Sequence, residues 1–312
     1  MPRTVVIVGV SGFIGKNLES GFLDAGYHVI GLRRGTVNRT VVVSPRCQHF
    51  WLVAPFDVDS LTNVFQSADV VVHAAGVAHR ADSAEIVREC ELGNVGLTEL
   101  IVAACRAAGA RRLIFISSAS VGIMSDRSVY ADSKRLAECS IQGGLADSTI
   151  DWVCVRPPMV YGPSAPGNFR RIVRIVASPI PIPFPALRNR RSAVSIWNLV
   201  DFVVMLTARP DQLRLSVGVA DGPPTPMADF IRELGRAFDK RVVLWPVPVA
   251  VVRMLGWLIG RYDEVRRLTE NVEIDLDYVR VRFGWQPRLS LQDALRRVAV
   301  AESTRSRSVT DR

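Results

Sequence analysis

Residues 4–15, TVVIVGVSGFIG, set an apolar, β-branched run directly against glycines at 9, 12 and 15. A buried strand there must end in a sharp turn, and a helix must start so close to it that no side chain fits between them. In such a unit the first glycine permits the turn, the second lets backbone approach a diphosphate, and the third lets helix and strand pack. The helix N-terminus adds unpaired amides and the positive end of its dipole, which favour phosphate. Gly9, Ser11, Gly12, Phe13, Ile14 and Gly15 are therefore the expected cradle of a dinucleotide. The spacing is GxxGxxG rather than GxGxxG, and a purely structural βα turn is the plainer alternative.

The rest of the first half repeats the pattern. Apolar runs at YHVIGL, CQHFWLV, DVVVHAAG, RRLIFISS and IDWVCVRPPMVYG alternate with helical spacing, including a long helix over 84–108 and one carrying YADSKRLAECSI. Short apolar strands, each followed by a helix, predict an α/β fold. The sheet is doubly wound, parallel and covered on both faces, with ligands at the carboxyl ends of its strands. After Gly162 the rhythm changes. PSAPG is a loop, NFRRIVRIVA a short helix, and SPIPIPFPAL, with four prolines in seven residues, an extended connector. TPMADFIRELGRAFD and LSLQDALRRVAVA read as amphipathic helices. The expected division is 1–162 for a nucleotide-binding domain, 163–302 for a smaller substrate lobe with segments returning to the sheet, and 303–312 for a disordered tail.

At 312 residues, 48% hydrophobic and 22% charged, the chain has enough apolar side chains for a large core. Its five cysteines (47, 90, 105, 139, 154) show no CxxC spacing and no histidine cluster. That argues against zinc or any other metal and against a disulfide framework, and it suits a reducing, cytoplasmic setting. The apolar start is broken by glycines and lacks a cleavage site, so it reads as a strand rather than a signal peptide. Leu244–Gly260 contains Pro246, Pro248 and Arg253 and is too short and broken to cross a bilayer. Residues 249–260 read as a half-buried lobe helix in preference to an interfacial one. The net charge of +9 raises nucleic acid as a partner, yet the arginines are dispersed and no basic helix or aromatic–basic platform appears. A field that attracts a phosphorylated small molecule accounts for the charge equally well.

Only three of the 39 basic residues are lysines. One of them, Lys134 in YADSK, stands four residues after Tyr130 and so on the same helix face. Lysine's compact ammonium is not interchangeable with arginine's fork. Beside a phenol it favours the phenolate, so it is expected to lower the Tyr130 pKa from its usual value of about 10, and it also suits ribose hydroxyls. Ser118, at the end of RRLIFISS, is placed to donate to a substrate oxygen while Tyr130 passes the proton, with Ser117 beside it facing the cofactor. NAD readers hold the ribose 2′-hydroxyl with a carboxylate at the end of the second strand. Here Gly31-Leu32-Arg33-Arg34-Gly35 ends it instead. Arg33 suits a 2′-phosphate and favours NADP over NAD; simple solvent contact is the other reading. Asp57, followed by Val58, is a candidate for the adenine amino group and equally for a loop cap.

GVSGFIG, HAAG at 73–76, Asn94, ISSAS, YADSK and RPPMVYGP, in this order, resemble the extended short-chain dehydrogenase/reductase family over nearly the whole chain. That family comprises nucleotide-sugar epimerases, dehydratases and reductases. The resemblance implies a Rossmann-type sheet, an NAD or NADP cofactor, and Ser118, Tyr130 and Lys134 as catalytic residues. It implies that Ala74, Ala75 and Gly76 border the nicotinamide and that Pro157 lines its pocket. Asn94 resembles an asparagine in the helix beside the active site, as a proton relay or a buried backbone-bonding residue. Asn168 matches a residue that meets the substrate diphosphate, and Arg191 one that grips the nucleotide. Arg190 or Arg188 could substitute for it, and Arg267 or Arg266 is a second clamp. A homodimer through the helices at 84–108 and 128–146 is implied as well.

Two departures bear on the reaction. Dehydratases of the family carry Asp-Glu after the strand-end serine or threonine, whereas Ala119-Ser120-Val121 follows Ser118 and the first acid is Asp126, so dehydration is disfavoured. The link from Ser118 to Tyr130 is twelve positions long and lacks the usual acidic, proline-rich insert. Arg33 tilts the choice towards net reduction with NADPH. HAAGVAHR, NRRSAVSIWNLVD and the Pro-Val-Pro helix near 246–248 look most like bacterial polysaccharide-cluster reductases of UDP-4-keto-6-deoxy-N-acetylhexosamines. A 4-keto reductase is the leading expectation. A UDP-sugar 4-epimerase acting on UDP-glucose or UDP-N-acetylglucosamine is its rival, and a non-catalytic NADP sensor comes third.

Overall fold

A computed structural model describes residues 3–36, 39–53, 56–77, 84–123, 128–177, 182–185, 189–258 and 271–310. The chain begins with β1 (Thr4–Val8), α1 (Phe13–Asp24), β2 (His28–Gly35), β3 (Arg39–Ser44), β4 (Cys47–Val53) and α2 (Val58–Phe65). It continues through β5 (Val70–His73), α3 (Ala84–Cys90), α4 (Leu97–Ala108), β6 (Arg112–Ile116), α5 (Val129–Gly144) and β7 (Asp151–Arg156). Next come β8 (Met159–Tyr161), α6 (Asn168–Ala177), β9 (Ile182–Pro185), β10 (Arg190–Arg191), β11 (Ala193–Ser195), α7 (Ile196–Ala208) and β12 (Arg214–Gly218). Last are β13 (Thr225–Pro226), α8 (Met227–Ala237), β14 (Leu244–Val247), α9 (Val249–Leu258) and the helices Leu276–Phe283 and Leu291–Thr310.

The chain divides into two compact units. One is Met1–Pro157 with Leu199–Gly218, the other Pro158–Asn198 with Val219–Arg312. The first unit holds one eight-stranded sheet in the order β12-β7-β6-β5-β1-β2-β4-β3. Only β3 runs antiparallel to its neighbour. Val6, Val8 and Phe115 pack with Leu61, Phe65, Ile101, Cys105, Ala137 and Ile141 of α2, α4 and α5. Val5 and Ile7 alternate with them along β1 and are buried too, so both faces of the sheet are covered. The strand order runs in opposite directions from the β1–β5 pair, which makes the carboxyl ends of these two strands the topological switch point. Arg112, fully buried at the start of β6, donates to Asp151 Oδ2 at 2.8 Å and to the Asp211 carbonyl at 2.7 Å, tying two neighbouring strands to the returning segment.

In the second unit the buried Asp221 accepts from the Tyr161 hydroxyl, from Ser195 N at 2.8 Å and from Asn198 Nδ2 at 2.7 Å. The ring of Tyr161 also packs with those of Phe169 and Phe230, the three centroids lying 5.6–6.5 Å from one another. Glu302, on the last helix, accepts from the amide of Ser164 at 2.7 Å.

The structure departs from the sequence reading in four places. β3 is an added edge strand whose Val41, Val42 and Val43 are exposed, so it carries no inward-facing periodicity. The single strand expected over IDWVCVRPPMVYG is two, because β8 leaves the main sheet after Pro157-Pro158 and pairs with β11. The first segment of the first unit runs to Pro157, and Leu199–Gly218 returns to it. The helix expected over 84–108 contains a wider π turn at Glu91–Gly96. The tail expected to be disordered from 303 is instead helix as far as Thr310, since neither glycine nor proline follows Pro287 to stop it.

Candidate active site

The turn after β1 is built as its glycines require. Gly9 has φ +90°, its amide reaches Leu32 O at 3.2 Å, and a Cβ there would lie 2.6 Å from the backbone of Ala75. Ala74 N in turn bonds Val8 O at 2.9 Å, so the ends of β1 and β5 are knitted together. A Cβ on Gly15 would lie 2.2 Å from Gly9 O, which lets α1 start hard against the strand. The N-cap of α1 is Gly12, with no side chain to bond the first-turn amides at Phe13 and Ile14. Ser11 and Gly12 are exposed. An open cradle of amides at a helix N-terminus fits a dinucleotide diphosphate.

Across the switch point, α5 carries Tyr130, Lys134 and Glu138 at four-residue spacing, on one face. A side-chain hydrogen bond joins Ser118 to Tyr130, short link notwithstanding. Ser118 Oγ also accepts from Ser120 N at 3.2 Å and from Ser120 Oγ at 2.9 Å. With both lone pairs engaged, its hydrogen donates to the phenol oxygen. Lys134 is buried, its ammonium donating to Ile116 O at 3.0 Å over the face of Phe115 at 4.5 Å. A Cβ on Gly76 would lie 3.1 Å from Lys134 Nζ, so this ammonium sits directly under the Ala74-Ala75-Gly76 turn.

The electrostatics correct one expectation. Burial pushes the Tyr130 phenol above its ordinary value, and the Ser118 hydrogen bond pulls the other way. Lys134 does not hold it down, because the ammonium is turned to the Ile116 carbonyl. Burial also lowers Lys134 itself to about 8, with Glu138 opposing. Glu138 is buried and receives Ser117 Oγ, Arg156 Nε at 2.9 Å and Ser216 Oγ at 3.0 Å. Ser117, expected to face the cofactor, has its hydroxyl on this carboxylate instead.

The π turn explains Asn94. A π turn holds one residue more than an α turn, and it carries Asn94 into the interior. There Asn94 Oδ1 accepts from Val77 N at 2.7 Å and Nδ2 donates to Ser133 Oγ at 2.8 Å. One amide thus ties the residue after Gly76 to the helix of Tyr130 and Lys134. His73, at the end of β5, bonds Thr98 Oγ1 at 3.0 Å, and burial first, then Lys134, keeps it neutral.

At the end of β2, Arg33 donates from Nε to His49 Nδ1 at 3.2 Å, while His49 Nε2 pairs with Glu19. Arg33 and Arg39 both lie over the Trp51 ring, at 5.4 and 4.5 Å. Arg34 is exposed, and among the described residues no carboxylate pairs with any of these three arginines. Asp57 is the N-cap of α2, its oxygens taken by Ser60 N and Ser60 Oγ, and Val58 is the first residue of that helix. The capping reading of Asp57 is therefore the one seen. Pro157 accepts from Ala119 N at 2.9 Å and braces the Ser118 turn.

In the second unit Asn168 opens α6, exposed. Arg191 pairs with Thr225 in β10–β13, beside Arg190, whose Nε bonds Pro224 O at 3.1 Å. Arg188, Arg266 and Arg267 lie outside the described residues, as does Asp126.

The family described as NAD dependent epimerase/dehydratase matches residues 5–218. The chain belongs to that family. It is accordingly an enzyme of the extended short-chain dehydrogenase/reductase type, in an NAD-dependent family. A "UDP-glucose 4-epimerase" of Vibrio cholerae is 32% identical over 96% of this chain and 96% of its own length. Among solved structures, a UDP-glucuronic acid 4-epimerase from Bacillus cereus in complex with NAD is similar with TM-score 0.76 and 17% identity over 97% of this chain and 99% of that one. A UDP-N-acetylglucosamine 4-epimerase from the same organism gives TM-score 0.74 and 14% identity over 96% and 98%. At such identities the structures show the fold.

Within this epimerase/dehydratase chain, sequence reasoning missed three supports of the candidate site, made by four side chains. Ser120 orients Ser118, Glu138 lies under Lys134, and His49 with Glu19 holds Arg33. Glu138 was available as the next step of the Tyr130–Lys134 spacing. The other two depend on turns and strand pairings that no local pattern reveals.

Proposed function

We propose that the chain moves a hydride between a nicotinamide cofactor and C4 of a UDP-linked hexose. The carrying observation is the Ser118–Tyr130 hydrogen bond beside a buried Lys134 under the Gly76 turn, at the switch point where the glycine cradle opens. The nicotinamide, when bound, supplies or accepts the hydride. Tyr130 gives the C4 oxygen its proton, and Ser118, oriented by Ser120, turns its one hydrogen from the phenol to the same oxygen as charge gathers there. Lys134 meets the ribose hydroxyls and completes the positive side of the site. Gly9 through Gly15 hold the diphosphate, and Ala74, Ala75, Gly76 and Pro157 flank the ring. Asn168 and Arg191 take the substrate diphosphate, an arginine fork suiting its oxygens.

The direction is net reduction of a UDP-4-keto-6-deoxy-N-acetylhexosamine with NADPH. Arg33 and Arg34 support this reading, since they stand where a carboxylate would select NAD. A second reading, UDP-sugar 4-epimerase, is favoured by the relative of that description at 32% identity. The enzyme works in the cytoplasm as a homodimer formed through α3–α4 and α5.

Purified protein incubated with NADPH and the UDP-4-keto sugar tests the proposal. NADPH is consumed, and Tyr130→Phe slows turnover by about 10²–10⁴-fold while leaving cofactor binding intact. No consumption, together with interconversion of UDP-glucose and UDP-galactose or their N-acetyl forms, would overturn reduction in favour of epimerisation.

A further inference from the structure

The second unit exposes an apolar strip that its own described residues leave uncovered. Val243 and Trp245 face out from the β14 segment, alternating with the half-buried Val242 and Leu244. On α9, Val251, Met254, Trp257 and Leu258 are exposed at helical spacing, forming one face. Trp245, on β14, and Trp257, on α9, are each 70% exposed. Exposed apolar groups collected on one segment mark an interaction surface.

Charge says which. No acid occurs between Asp239 and Asp263, while Lys240, Arg241, Arg253 and Arg261 do. The partner strand β9 comes from another acid-free stretch, Asp151 to Asp201, which contains seven arginines. Lys240 Nζ donates to Ala177 O, the last carbonyl of α6, a helix whose Arg170, Arg171 and Arg174 are exposed. A second copy meeting this patch face to face would set its lysine and arginines against one another. An anionic bilayer matches both halves, since indole rings favour the headgroup level and lysine and arginine favour anionic lipid. α9, ten residues long, cannot cross, so it lies in the plane of the surface.

We propose that β14 and α9 dock the enzyme on the surface of an anionic phospholipid bilayer. Trp245, Met254, Trp257 and Leu258 enter the headgroup–acyl boundary, and Lys240 and Arg241 meet lipid phosphates.

Flotation of the full chain with phosphatidylcholine vesicles, with and without phosphatidylglycerol, tests this. The chain floats with the anionic vesicles, less so at raised salt, and brominated lipid quenches its tryptophan emission. The Trp245→Ser/Trp257→Ser pair lowers partitioning by about tenfold or more. Met254→Glu does the same by a different change, and circular dichroism melting confirms that both variants are folded. Absence of flotation by the parent chain overturns the proposal, as does equal flotation of the folded variants. A shift from dimer to monomer in Trp257→Ser with no vesicle binding overturns it in favour of a second copy.

Discussion

Lys134 holds its ammonium in a buried setting. Burial takes its ammonium from 10.5 to about 8, so between those values the folded chain binds fewer protons than the unfolded one. Stability from this group therefore rises with pH across that window, and below it the buried charge costs about 3 kcal/mol. Lys134→Met, which lacks that cost, is expected to lose stability relative to the parent as pH climbs from 8 to 10.5, measured by urea unfolding at each pH. The same side chain was legible in the sequence, because a chain so rich in arginine kept a lysine four residues past a tyrosine. Its burial and its bond to Ile116 were not legible, since both follow from how α5 lies on β6. Arg33 shows the converse: its place at a strand end was read correctly, but its hold on His49 needed the β2–β4 pairing. His49→Leu frees the guanidinium, and the expected result is an NADPH Kd raised about tenfold with NADH binding unchanged, by fluorescence titration.

Elements that bury a continuous run announced themselves. β1, β5 and β6 each carry at least three consecutive apolar residues because both faces are covered. α5 and the long helix at 84–108 were equally plain. β3 was hidden, since its valines face water and only edge pairing makes it a strand. The π turn was hidden as well: ELGNVG keeps enough helical spacing to pass for regular helix, and the extra residue shows only in how Asn94 turns inward. Asn94→Ala leaves Val77 N and Ser133 Oγ without this partner and is expected to lower stability by about 1–3 kcal/mol. It should also reduce kcat, because the Gly76 turn and α5 are no longer tied. Asn94→Asp, which keeps the acceptor for Val77 N, is expected to recover more of kcat than Asn94→Ala in steady-state assays.

For the whole molecule, the alternation of strands and helices was enough to give a doubly wound sheet, and the glycine turn placed its ligand end. The path of the chain was less legible. Nothing local marks Leu199–Gly218 as a return to the first unit, where β12 adds the outer strand beside β7 and its Ser216 reaches Glu138. Assembly belongs to this scale too. Leu92, in the π turn, and Leu136, on α5, are exposed on the helices proposed to pair. Leu136→Glu is expected to convert the dimer to a folded monomer by light scattering, and an unchanged mass would remove those helices from the interface. The last helix carries a different lesson. Because Glu302 reaches back 138 residues to the amide of Ser164, which holds a left-handed φ of 62°, the C-terminus is a latch on the loop that leads into Asn168. Trimming the charged end back to residue 300 for crystallisation would look harmless and would unfasten the loop in front of α6, where the proposed diphosphate contact at Asn168 begins.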